Sequence, residues 1–393
     1  MIGDGWDDNP SIRPGPPDGA SAPRRVAVVT GSRAEFGLLT PVMEAIDRHP
    51  ELELRVIAAG SHLVSPALTF RDVKACFPIA DSVPMQVAGR VGRFEDAEAV
   101  GRGVARFARA FAAIAPAWVV VLGDRIEAFA AAAAAAVGGW TLAHVHGGDR
   151  AEGVADESMR HAITKLAHLH LPASAASAER IVRMGEAPGF VRVVGSPAID
   201  GLAEIPPMDD LAYAEVGSPE TIVLLHPVGR SDEMEEAVAV EVLAAVGREG
   251  TLAFMPNLDP GRAGIVRAVA ASGVRTIEHL PRAAFVGLLK RVARAGGVLV
   301  GNSSLALIEA AALRLRAVDV GPRQSGRERP GSVVHAERES REAVAGAIRA
   351  ARSLDLSGLT HPFGDGRAGE RVASSLAGID PRNPGLTRKR CAY

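Results

Sequence analysis

Short apolar runs that are typical of buried strands alternate with helical patterns along most of the chain. Arg25–Thr30, Leu52–Ala59 and Trp118–Leu122 are rich in β-branched or aliphatic residues, and a glycine follows each run. Strands with apolar residues on both faces belong in a parallel sheet, because helices then cover the sheet on both sides. The sequence therefore predicts an α/β fold.

The alternation stops between Ile199 and Pro219, a stretch rich in proline, aspartate and glycine, and then begins again. At 393 residues the chain is also too long for one ordinary core. We therefore predict two Rossmann-like domains of similar size. The predicted segments are a disordered lead at 1–24, an N-terminal domain at 25–200, a linker at 201–219, a C-terminal domain at 220–362, a helix within 363–380 and a tail at 381–393.

Several further elements follow from the same patterns. In the N-terminal domain we predict a strand at Thr141–Val145 and helices at Leu38–Ile46 and 95–114. In the C-terminal domain we predict strands at Thr221–Leu225, Thr251–Met255, Val274–Ile277, Val298–Val300 and Ala317–Val320. The helices between them are predicted at Asp232–Gly247, Gly261–Ser272, Arg282–Ala295 and Ser304–Leu313. Ligands of such sheets bind beyond the carboxyl ends of the strands, so residues directly after strands are candidates for chemistry.

Charge and cysteine content exclude several classes of protein. The net charge of −2 gives no electrostatic reason to expect a nucleic acid or a membrane as partner. Two cysteines far apart, Cys76 and Cys391, exclude a disulfide framework and indicate a reducing compartment, which we take to be the cytoplasm. The longest apolar stretch, Ala128–Trp140, is mostly alanine and too short to span a bilayer.

Four acids converge on one edge of the N-terminal sheet. Asp124 and Asp149 each follow a predicted strand, and Asp156 and Glu157 begin the next helix. Crowded acids raise one another's pKa, so one carboxyl group can stay protonated while another is ionised, as acid–base catalysis requires. The alternative for Asp156 and Glu157 is that they only complement a helix N-terminus.

The same turns of the N-terminal domain carry further polar side chains that we count as candidates for substrate binding. They are Arg33, Glu35, His62, Arg125 and Arg160. Histidines also occur in pairs at strand spacing, at His144 and His146 and at His168 and His170. No cysteine or carboxylate stands at a zinc-like distance from them, so we expect no metal.

In the C-terminal domain the run Gly301-Asn302-Ser303-Ser304 leads from a strand into a predicted helix that contains Glu309. Backbone N–H groups at such a start bind anions, and a diphosphate fits there, but plain N-capping by serine or asparagine is an open alternative. Glu309 would accept hydrogen bonds from ribose hydroxyls, or else be a solvated or salt-bridged residue of the helix.

Two other turns of this domain carry candidate ligands of a phosphate. His226 follows a strand and would act as an acid or as a phosphate ligand, or else be structural. Arg323 and Arg327 follow the last predicted strand, where they would contact phosphate or form a solvated basic loop.

Together these segments resemble the hydrolysing UDP-N-acetylglucosamine 2-epimerases of sialic-acid pathways, from Val26 to about Ile379. No single motif is specific, but the ordered set is. The matching pieces are Thr30-Gly-Ser-Arg-Ala-Glu-Phe-Gly-Leu-Leu39, Leu122-Gly-Asp-Arg-Ile-Glu127, His144-Val-His-Gly-Gly-Asp149, Asp156-Glu-Ser-Met-Arg-His-Ala-Ile-Thr-Lys165, Gly195-Ser-Pro197, His226-Pro227, Gly301-Asn-Ser-Ser304 with Glu309, and Arg323-Gln-Ser-Gly-Arg327.

The resemblance implies a glycosyltransferase-B-like fold, with two Rossmann-like domains facing across a cleft and a last helix that crosses back to the first domain. It implies that UDP leaves a UDP-sugar as the C2 proton is removed, and that water then adds to the glycal intermediate. It further implies a homodimer, a reaction without a cofactor, and acid–base roles for Asp124 and Asp156. Asp149 and Glu157 would assist, and the residues implied to hold the nucleotide are Arg33, His226, Ser303, Ser304 and Glu309.

The chain departs from the family pattern at the phosphate loop. Leu305-Ala306 stands where Ser-Gly is usual, Pro322 where Asp is usual, and Ser325 where Lys is usual. These changes leave the sugar open between UDP-N-acetylglucosamine and UDP-2,4-diacetamido-6-deoxyglucose of the legionaminic-acid route. A glycosyltransferase with the same architecture and a catalytically inactive sugar-nucleotide sensor are the other two hypotheses. The converging acids argue against a transferase, and the presence of Asp124, Asp156 and His226 argues against an inactive sensor.

Overall fold

A computed structural model describes residues 22–65, 67–90, 92–150, 157–257 and 259–390. It contains two parallel six-stranded sheets. The strands of the first sheet are β1 (Arg24–Thr30), β2 (Leu52–Ala59), β3 (Ile79–Val83), β4 (Trp118–Leu122), β5 (Leu142–Val145) and β6 (Leu169–Leu171). The helices around it are α1 (Arg33–Arg48), α2 (Phe70–Cys76), α3 (Arg93–Ile114), α4 (Ile126–Gly138), α5 (Glu157–Leu166) and α6 (Ala175–Arg183).

The second sheet follows after a short helix, α7 (Asp210–Glu215). Its strands are β7 (Thr221–Leu224), β8 (Thr251–Phe254), β9 (Arg275–Ile277), β10 (Val298–Gly301), β11 (Arg316–Val320) and β12 (Val333–Ala336). The remaining helices are α8 (Asp232–Val246), α9 (Arg262–Ser272), α10 (Arg282–Arg294), α11 (Glu309–Ala312), α12 (Arg341–Arg352), α13 (Ala368–Gly378) and α14 (Pro384–Thr387).

Both sheets have the same topology. The first runs β3-β2-β1-β4-β5-β6, and the second runs β12-β11-β10-β7-β8-β9, which is the same order traced from the other edge. In each sheet the chain reverses its direction of winding between two adjacent strands, β1 and β4 or β7 and β10. Loops diverge there and leave a crevice beyond the carboxyl ends of the strands. The predicted fold class, α/β with two Rossmann-like domains, is confirmed.

Side-chain alternation along the strands explains why both faces of each sheet are covered. Val26 and Val28 of β1 pack into one apolar cluster with α1, whereas Ala27 and Val29 pack into another with α3 and α4. Successive side chains of a strand point to opposite faces, so a fully apolar strand feeds two cores. The second sheet is likewise packed between two clusters.

The end of the chain returns to the first domain. Helix α13 packs on α1, where a side chain on Gly369 would come within 2.4 Å of the Pro41 carbonyl oxygen. The Trp118 indole N–H donates to the Leu376 carbonyl over 3.0 Å, and Arg24 donates to the Ala377 carbonyl over 2.7 Å. The glycine therefore permits a close helix contact that attaches α13 to the first sheet.

One predicted helix is wrong. Ser304–Leu313 is not continuous, because a three-residue 3-10 turn at Ser304–Ala306 precedes the four-residue α11. Leu307 and Ile308, which separate the two pieces, are buried in an apolar cluster between the domains. Burial of two consecutive apolar residues there replaces the regular one-sided pattern of an amphipathic helix.

Among the described residues, no helix is both long enough and apolar enough to cross a bilayer.

Candidate active site

The residues singled out from the sequence lie mostly beyond the carboxyl ends of the two sheets. Arg33 follows β1 and Asp124 follows β4, the two strands at the reversal point of the first sheet. His226 follows β7 and Ser303 follows β10, at the reversal point of the second. The order of the strands therefore brings residues that are far apart in sequence to two crevices.

Arg160 connects two of the predicted acids. This buried guanidinium on α5 forms an ion pair with the Asp124 carboxylate and donates to the backbone carbonyl of Asp149 over 3.1 Å. Burial, and to a lesser extent the nearby charge of Arg327, lower the pKa of Arg160 to about 9. Arg160 thus remains a cation at neutral pH and holds the turns after β4 and β5 together.

Asp149 is buried, and both oxygens of its carboxylate are hydrogen-bonded. Its two carboxylate oxygens accept from the His146 ring over 2.8 Å and from the Ser177 hydroxyl over 2.7 Å. Burial alone would raise the pKa of Asp149, but His146, Arg327 and Ser177 together hold the pKa below its usual value. Asp149 is therefore a carboxylate at neutral pH.

The other two predicted acids are Asp156 and Glu157. Asp156 lies outside the described residues. Glu157 is the first residue of α5, partly exposed, with its carboxylate 3.4 Å from the His161 ring one turn further along the helix. The position suits both alternatives, helix capping and contact with a substrate in the cleft.

The turn after β1 places Arg33 across the cleft and Glu35 beneath it. The exposed Arg33 guanidinium lies 2.6 Å from the ring of His279, which follows β9 in the other domain. Glu35 is buried and accepts from the Gly31 N–H over 2.6 Å. Burial and the neighbouring Glu127 raise the pKa of Glu35 to about 8. Glu35 would thus affect a substrate only through the turn it supports.

Glu127 is a buried acid that the sequence did not single out. Its carboxylate accepts from the Gln86 amide over 3.3 Å, and Arg125 lies 3.7 Å away. Burial raises the pKa of Glu127. A side chain on Gly31 or on Gly60 would come within 2.5 Å of Glu127 atoms, so these glycines make room for the acid below the turns after β1 and β2.

His62 is buried between two hydroxyl groups. Its ring nitrogens lie 3.0 Å from the Thr30 hydroxyl and 2.6 Å from the Thr69 hydroxyl. Burial lowers the pKa of His62 to about 4, so the ring is neutral at physiological pH. His62 therefore joins the turns after β1 and β2, and would reach a substrate only through them.

In the second domain Asn302 fixes the position of His226. The Asn302 amide accepts from the His226 N–H and donates to the His226 carbonyl, both over 2.8 Å. The His226 ring accepts at Nδ1 from the Asn257 N–H over 3.3 Å, which leaves Nε2 as the protonated nitrogen. Burial lowers the pKa of His226 to about 4, so the neutral ring is a hydrogen-bond donor rather than an acid.

The turn after β10, which begins at Gly301, starts at a close contact. A side chain on Gly301 would lie 2.0 Å from the Leu224 carbonyl oxygen, so only glycine fits where β10 leaves β7. Ser303 caps the following 3-10 turn by accepting from the Leu305 N–H over 3.4 Å. Because that turn has only three residues, it carries little of the dipole expected of a helix. Ser304 is the first residue of this turn. Leu305 packs against the core of the domain.

Glu309 does not lie solvated on a helix surface. It is buried and forms an ion pair of 2.8 Å with Arg282 at the start of α10. Burial raises the pKa of Glu309, whereas Arg282 opposes that rise. Arg282 also donates to the Ala198 carbonyl over 2.7 Å, so this pair lies where the two domains join.

The basic turn after β11 is largely buried, so a purely solvated loop is excluded. Arg323 and Gln324 both donate to the Asn302 carbonyl, over 3.2 and 2.8 Å. Arg327 crosses the cleft and donates to the Arg150 carbonyl of the first domain over 2.9 Å. Burial lowers the pKa of both arginines, and a guanidinium keeps its proton in proteins. Arg327 thus brings a cation from the second domain towards Asp149.

The paired histidines do not form a metal site. The part of the chain that the structure describes contains no group of three or more metal-ligating side chains. The His144 ring lies 2.8 Å from the Gly123 carbonyl, and the His170 ring lies 3.0 Å from the buried Glu186 carboxylate. These two histidines are bonded to groups of the protein.

Sequence reasoning left three residues near Asp149 without a role. His146 stands within the His-Gly-Gly-Asp turn, and that position was the only available signal. Ser177 belongs to α6 and Ser196 to the segment that leaves the first domain. No local pattern connects either serine with Asp149, because the contacts depend on how α6 and the segment around Ser196 pack on the sheet.

Comparison with known proteins identifies the family of the chain. A family model described as UDP-N-acetylglucosamine 2-epimerase matches residues 44–377, which is most of the chain. The chain belongs to this family. A UDP-N,N'-diacetylbacillosamine 2-epimerase (hydrolyzing) of Legionella pneumophila is 32% identical over 385 residues, which cover 94% of this chain and 100% of that protein. A UDP-N-acetylglucosamine 2-epimerase of Neisseria meningitidis is 30% identical, over 84% of this chain and 88% of that protein.

Solved structures of the family share the fold. The UDP-GlcNAc 2-epimerase of Methanocaldococcus jannaschii, in complex with UDP-GlcNAc and UDP, matches with a TM-score of 0.75. The match covers 90% of this chain and 100% of that one at 16% identity. This member of the UDP-N-acetylglucosamine 2-epimerase family therefore has the two-domain architecture of glycosyltransferase-B-like proteins.

Proposed function

We propose that this epimerase-family enzyme catalyses the hydrolysing reaction, in which a UDP-2-acetamido sugar and water give UDP and the free 2-epimer. The observation that carries the proposal is the pair of acids joined by Arg160. Asp124 and Asp149 follow adjacent strands, and one guanidinium contacts both turns. Removal of a proton from carbon and its later return require carboxyl groups held at fixed positions, and this arrangement provides them.

The proposed reaction has two balanced steps. A carboxylate takes the proton from C2 of the sugar while the bond between C1 and the UDP oxygen breaks, which gives a glycal and UDP. Water then adds across the double bond, with hydroxyl at C1 and a proton at C2 on the opposite face. We assign the acid–base roles to Asp124 and Asp156, with Asp149 and Glu157 assisting.

The leaving diphosphate needs positive charge and hydrogen-bond donors. Arg33, Arg323 and Arg327 lie around the cleft, and the neutral His226 ring presents its Nε2–H as a further donor. We propose that these groups, with the Ser303–Ser304 turn, stabilise the charge that develops as UDP departs. Glu309 would act on the ribose through its position beside Arg282. The substrate-binding roles of Glu35, His62 and Arg125 would be indirect, through the turns that they support.

Two sugars are candidates for the substrate. UDP-N-acetylglucosamine follows from the family description and the Neisseria relative. UDP-2,4-diacetamido-6-deoxyglucose is the second candidate, because the Legionella relative, matched over its whole length, is named for a diacetylated UDP-sugar. Both carry the 2-acetamido group next to the reacting carbon, so the same acids serve either one.

Product analysis tests the proposal. The purified enzyme is incubated with each UDP-sugar in deuterated water without an acceptor, and the products are followed by NMR. We expect UDP and a free sugar with inverted configuration and deuterium at C2. Free sugar that keeps its C2 hydrogen would mean simple hydrolysis, and a requirement for an added acceptor would mean glycosyl transfer. An inactive sensor would bind the UDP-sugar and release nothing.

We also propose that the enzyme acts as a homodimer in the cytoplasm. Both statements rest on the resemblance to the family and, for the compartment, on the two widely separated cysteines. Light scattering of the purified protein measures the molar mass directly. A mass of one chain, 40.8 kDa, at assay concentration would contradict the dimer.

A further inference from the structure

His146 has an unusual backbone conformation next to a predicted acid. It follows β5 with φ of +62°, in the left-handed region that residues other than glycine seldom occupy. Its side chain is buried, although a histidine at a strand end beside a cleft would easily remain solvated. Such conformations persist where surrounding contacts hold them and often occur at functional sites. The contacts of the ring are therefore of interest.

The ring forms the middle of a chain of hydrogen bonds. Its Nδ1 lies 2.8 Å from an Asp149 carboxylate oxygen, and its Nε2 lies 3.0 Å from the Ser196 hydroxyl. Because Asp149 is ionised, Nδ1 must donate. The Ser196 oxygen accepts from the Ala198 N–H over 3.3 Å, so its own proton is available for Nε2. Every hydrogen bond in the chain is then satisfied by a neutral ring protonated at Nδ1.

The far end of this series of hydrogen bonds is the hinge, which consists of the segments around Ser196 and Phe363 that connect the two domains. The Ser196 N–H donates to the Phe363 carbonyl over 2.7 Å, in the segment that returns from the second domain. Two residues later, the Ala198 carbonyl accepts from Arg282 of the second domain over 2.7 Å. Hydrogen bonds thus run from Asp149 through His146 and Ser196 to the segments that connect the two domains.

We infer that His146 is a positioning residue, which orients the Asp149 carboxylate for the reaction and links this orientation, through Ser196, to the hinge. This inference rests on the proposed function. Besides the His146 ring, the Ser177 hydroxyl is bonded to the Asp149 carboxylate, whereas the Arg160 guanidinium donates to the Asp149 backbone carbonyl. Neither of these contacts the hinge segment at Ser196, whereas His146 does.

The charged and titratable groups around Asp149 come from several elements. They are His144 on β5, Arg160 on α5, Arg180 on α6, Arg327 after β11, and His146 itself. Of these, His146 and Arg327 lower the pKa of Asp149. Loss of the His146 ring should therefore raise the pKa of Asp149 and move the acidic limb of the pH–rate profile to higher pH.

Three variants test the role of the ring. His146→Ala removes both contacts. His146→Asn keeps a short amide that can still donate to Asp149, tolerates the left-handed conformation, and cannot reach Ser196. Ser196→Ala removes the link to the hinge from the other end. His170→Asn is the matched control, because His170 is also buried in the first sheet and bonded to a buried carboxylate, that of Glu186.

We expect His146→Ala to lower kcat by up to about 100-fold, with KM changed far less and the acidic limb shifted to higher pH. His146→Asn should restore the acidic limb but only part of kcat. Ser196→Ala should lower kcat by about as much as His146→Asn does. The double variant, His146→Asn with Ser196→Ala, should have a kcat no lower than that of either single variant, since both substitutions break the same link. His170→Asn should lower the melting temperature without moving the pH profile.

The inference is overturned if His146→Ala leaves the acidic limb in place, or if its kcat loss is no larger than that of His170→Asn. If the kcat losses of His146→Asn and Ser196→Ala multiply in the double variant, the link to the hinge is contradicted. A wild-type enzyme that releases UDP from none of the UDP-sugars contradicts the proposed function instead. The link is then still measured by NMR of labelled histidine in the free protein, where Ser196→Ala must change the His146 Nε2 signal and leave that of His170 unchanged.

Discussion

The buried carboxyl group of Glu35 should make stability depend on pH in an unusual direction. Burial, and then the neighbouring Glu127, raise the pKa of Glu35 to about 8 in the folded protein, from its ordinary value of 4.5. The folded state therefore prefers the protonated acid. The stability from this preference is fully present below pH 4.5 and is lost as the pH rises towards 8, where folding has to keep a buried charge.

The magnitude follows from the interval between the two pKa values. At about 1.4 kcal/mol for each pH unit, the interval from 4.5 to about 8 corresponds to roughly 5 kcal/mol of unfolding free energy. Glu35→Gln removes this loss, because the amide keeps an acceptor for the Gly31 N–H and never ionises. We expect the variant and the wild type to be similarly stable near pH 4.5, and the variant to be more stable by about 3–5 kcal/mol near pH 8.

Thermal and urea unfolding between pH 4.5 and 8.5 measure the difference between the two proteins. Glu51→Gln is the control, since it makes the same substitution at an exposed position of the same domain. Parallel stability curves for the wild type and Glu35→Gln would refute the argument, as would the same divergence in Glu51→Gln. Either result would mean that Glu35 is not the group whose ionisation costs stability.

Three other substitutions have expected outcomes. Asp124→Asn should lower kcat by about 10²–10⁴-fold with nearly unchanged UDP binding, and near-normal kcat would remove Asp124 from the mechanism. Leu305→Ser should lower stability by roughly 1–3 kcal/mol, because Leu305 packs on the core, with UDP affinity unchanged by calorimetry. Tighter UDP binding instead would mean that a hydroxyl at this position reaches the phosphate. Gly301→Ala should destabilise the second domain by about 1–3 kcal/mol, through contact with the Leu224 carbonyl. A normal melting temperature for Gly301→Ala would show that the strands can separate at no cost.

Central strands could be predicted from sequence, whereas among the edge strands of the two described sheets only β9 could. β2 and β4 have the predicted ends, because long apolar runs fix strands that are buried on both faces. β3 and β12 were not predicted, since they are short, lie at sheet edges and are only partly buried. The predicted helix at Ser304–Leu313 failed because burial at Leu307 and Ile308 outweighs local helical preference there.

The same distinction applies to the candidate site. Parallel strands all present their carboxyl ends to one edge, so the turns that carry Asp124, Asp149 and His226 could be placed from the pattern alone. The partners of these residues could not. The direction of the His146 ring depends on a left-handed backbone, and the meeting of Asp149 with Arg327 depends on how the two domains face each other. Neither is encoded in local periodicity.

The return of α13 to the first sheet has a consequence for synthesis on the ribosome. Val372, Ala373 and Leu376 belong to the same apolar cluster as β1 and α1, and they emerge only after the entire second domain. At about 5–20 residues per second, the first domain waits on the order of 10 s or more with part of its apolar face uncovered. During that interval the nascent chain offers a binding surface to chaperones. A segment that is synthesised after the second domain then completes the first.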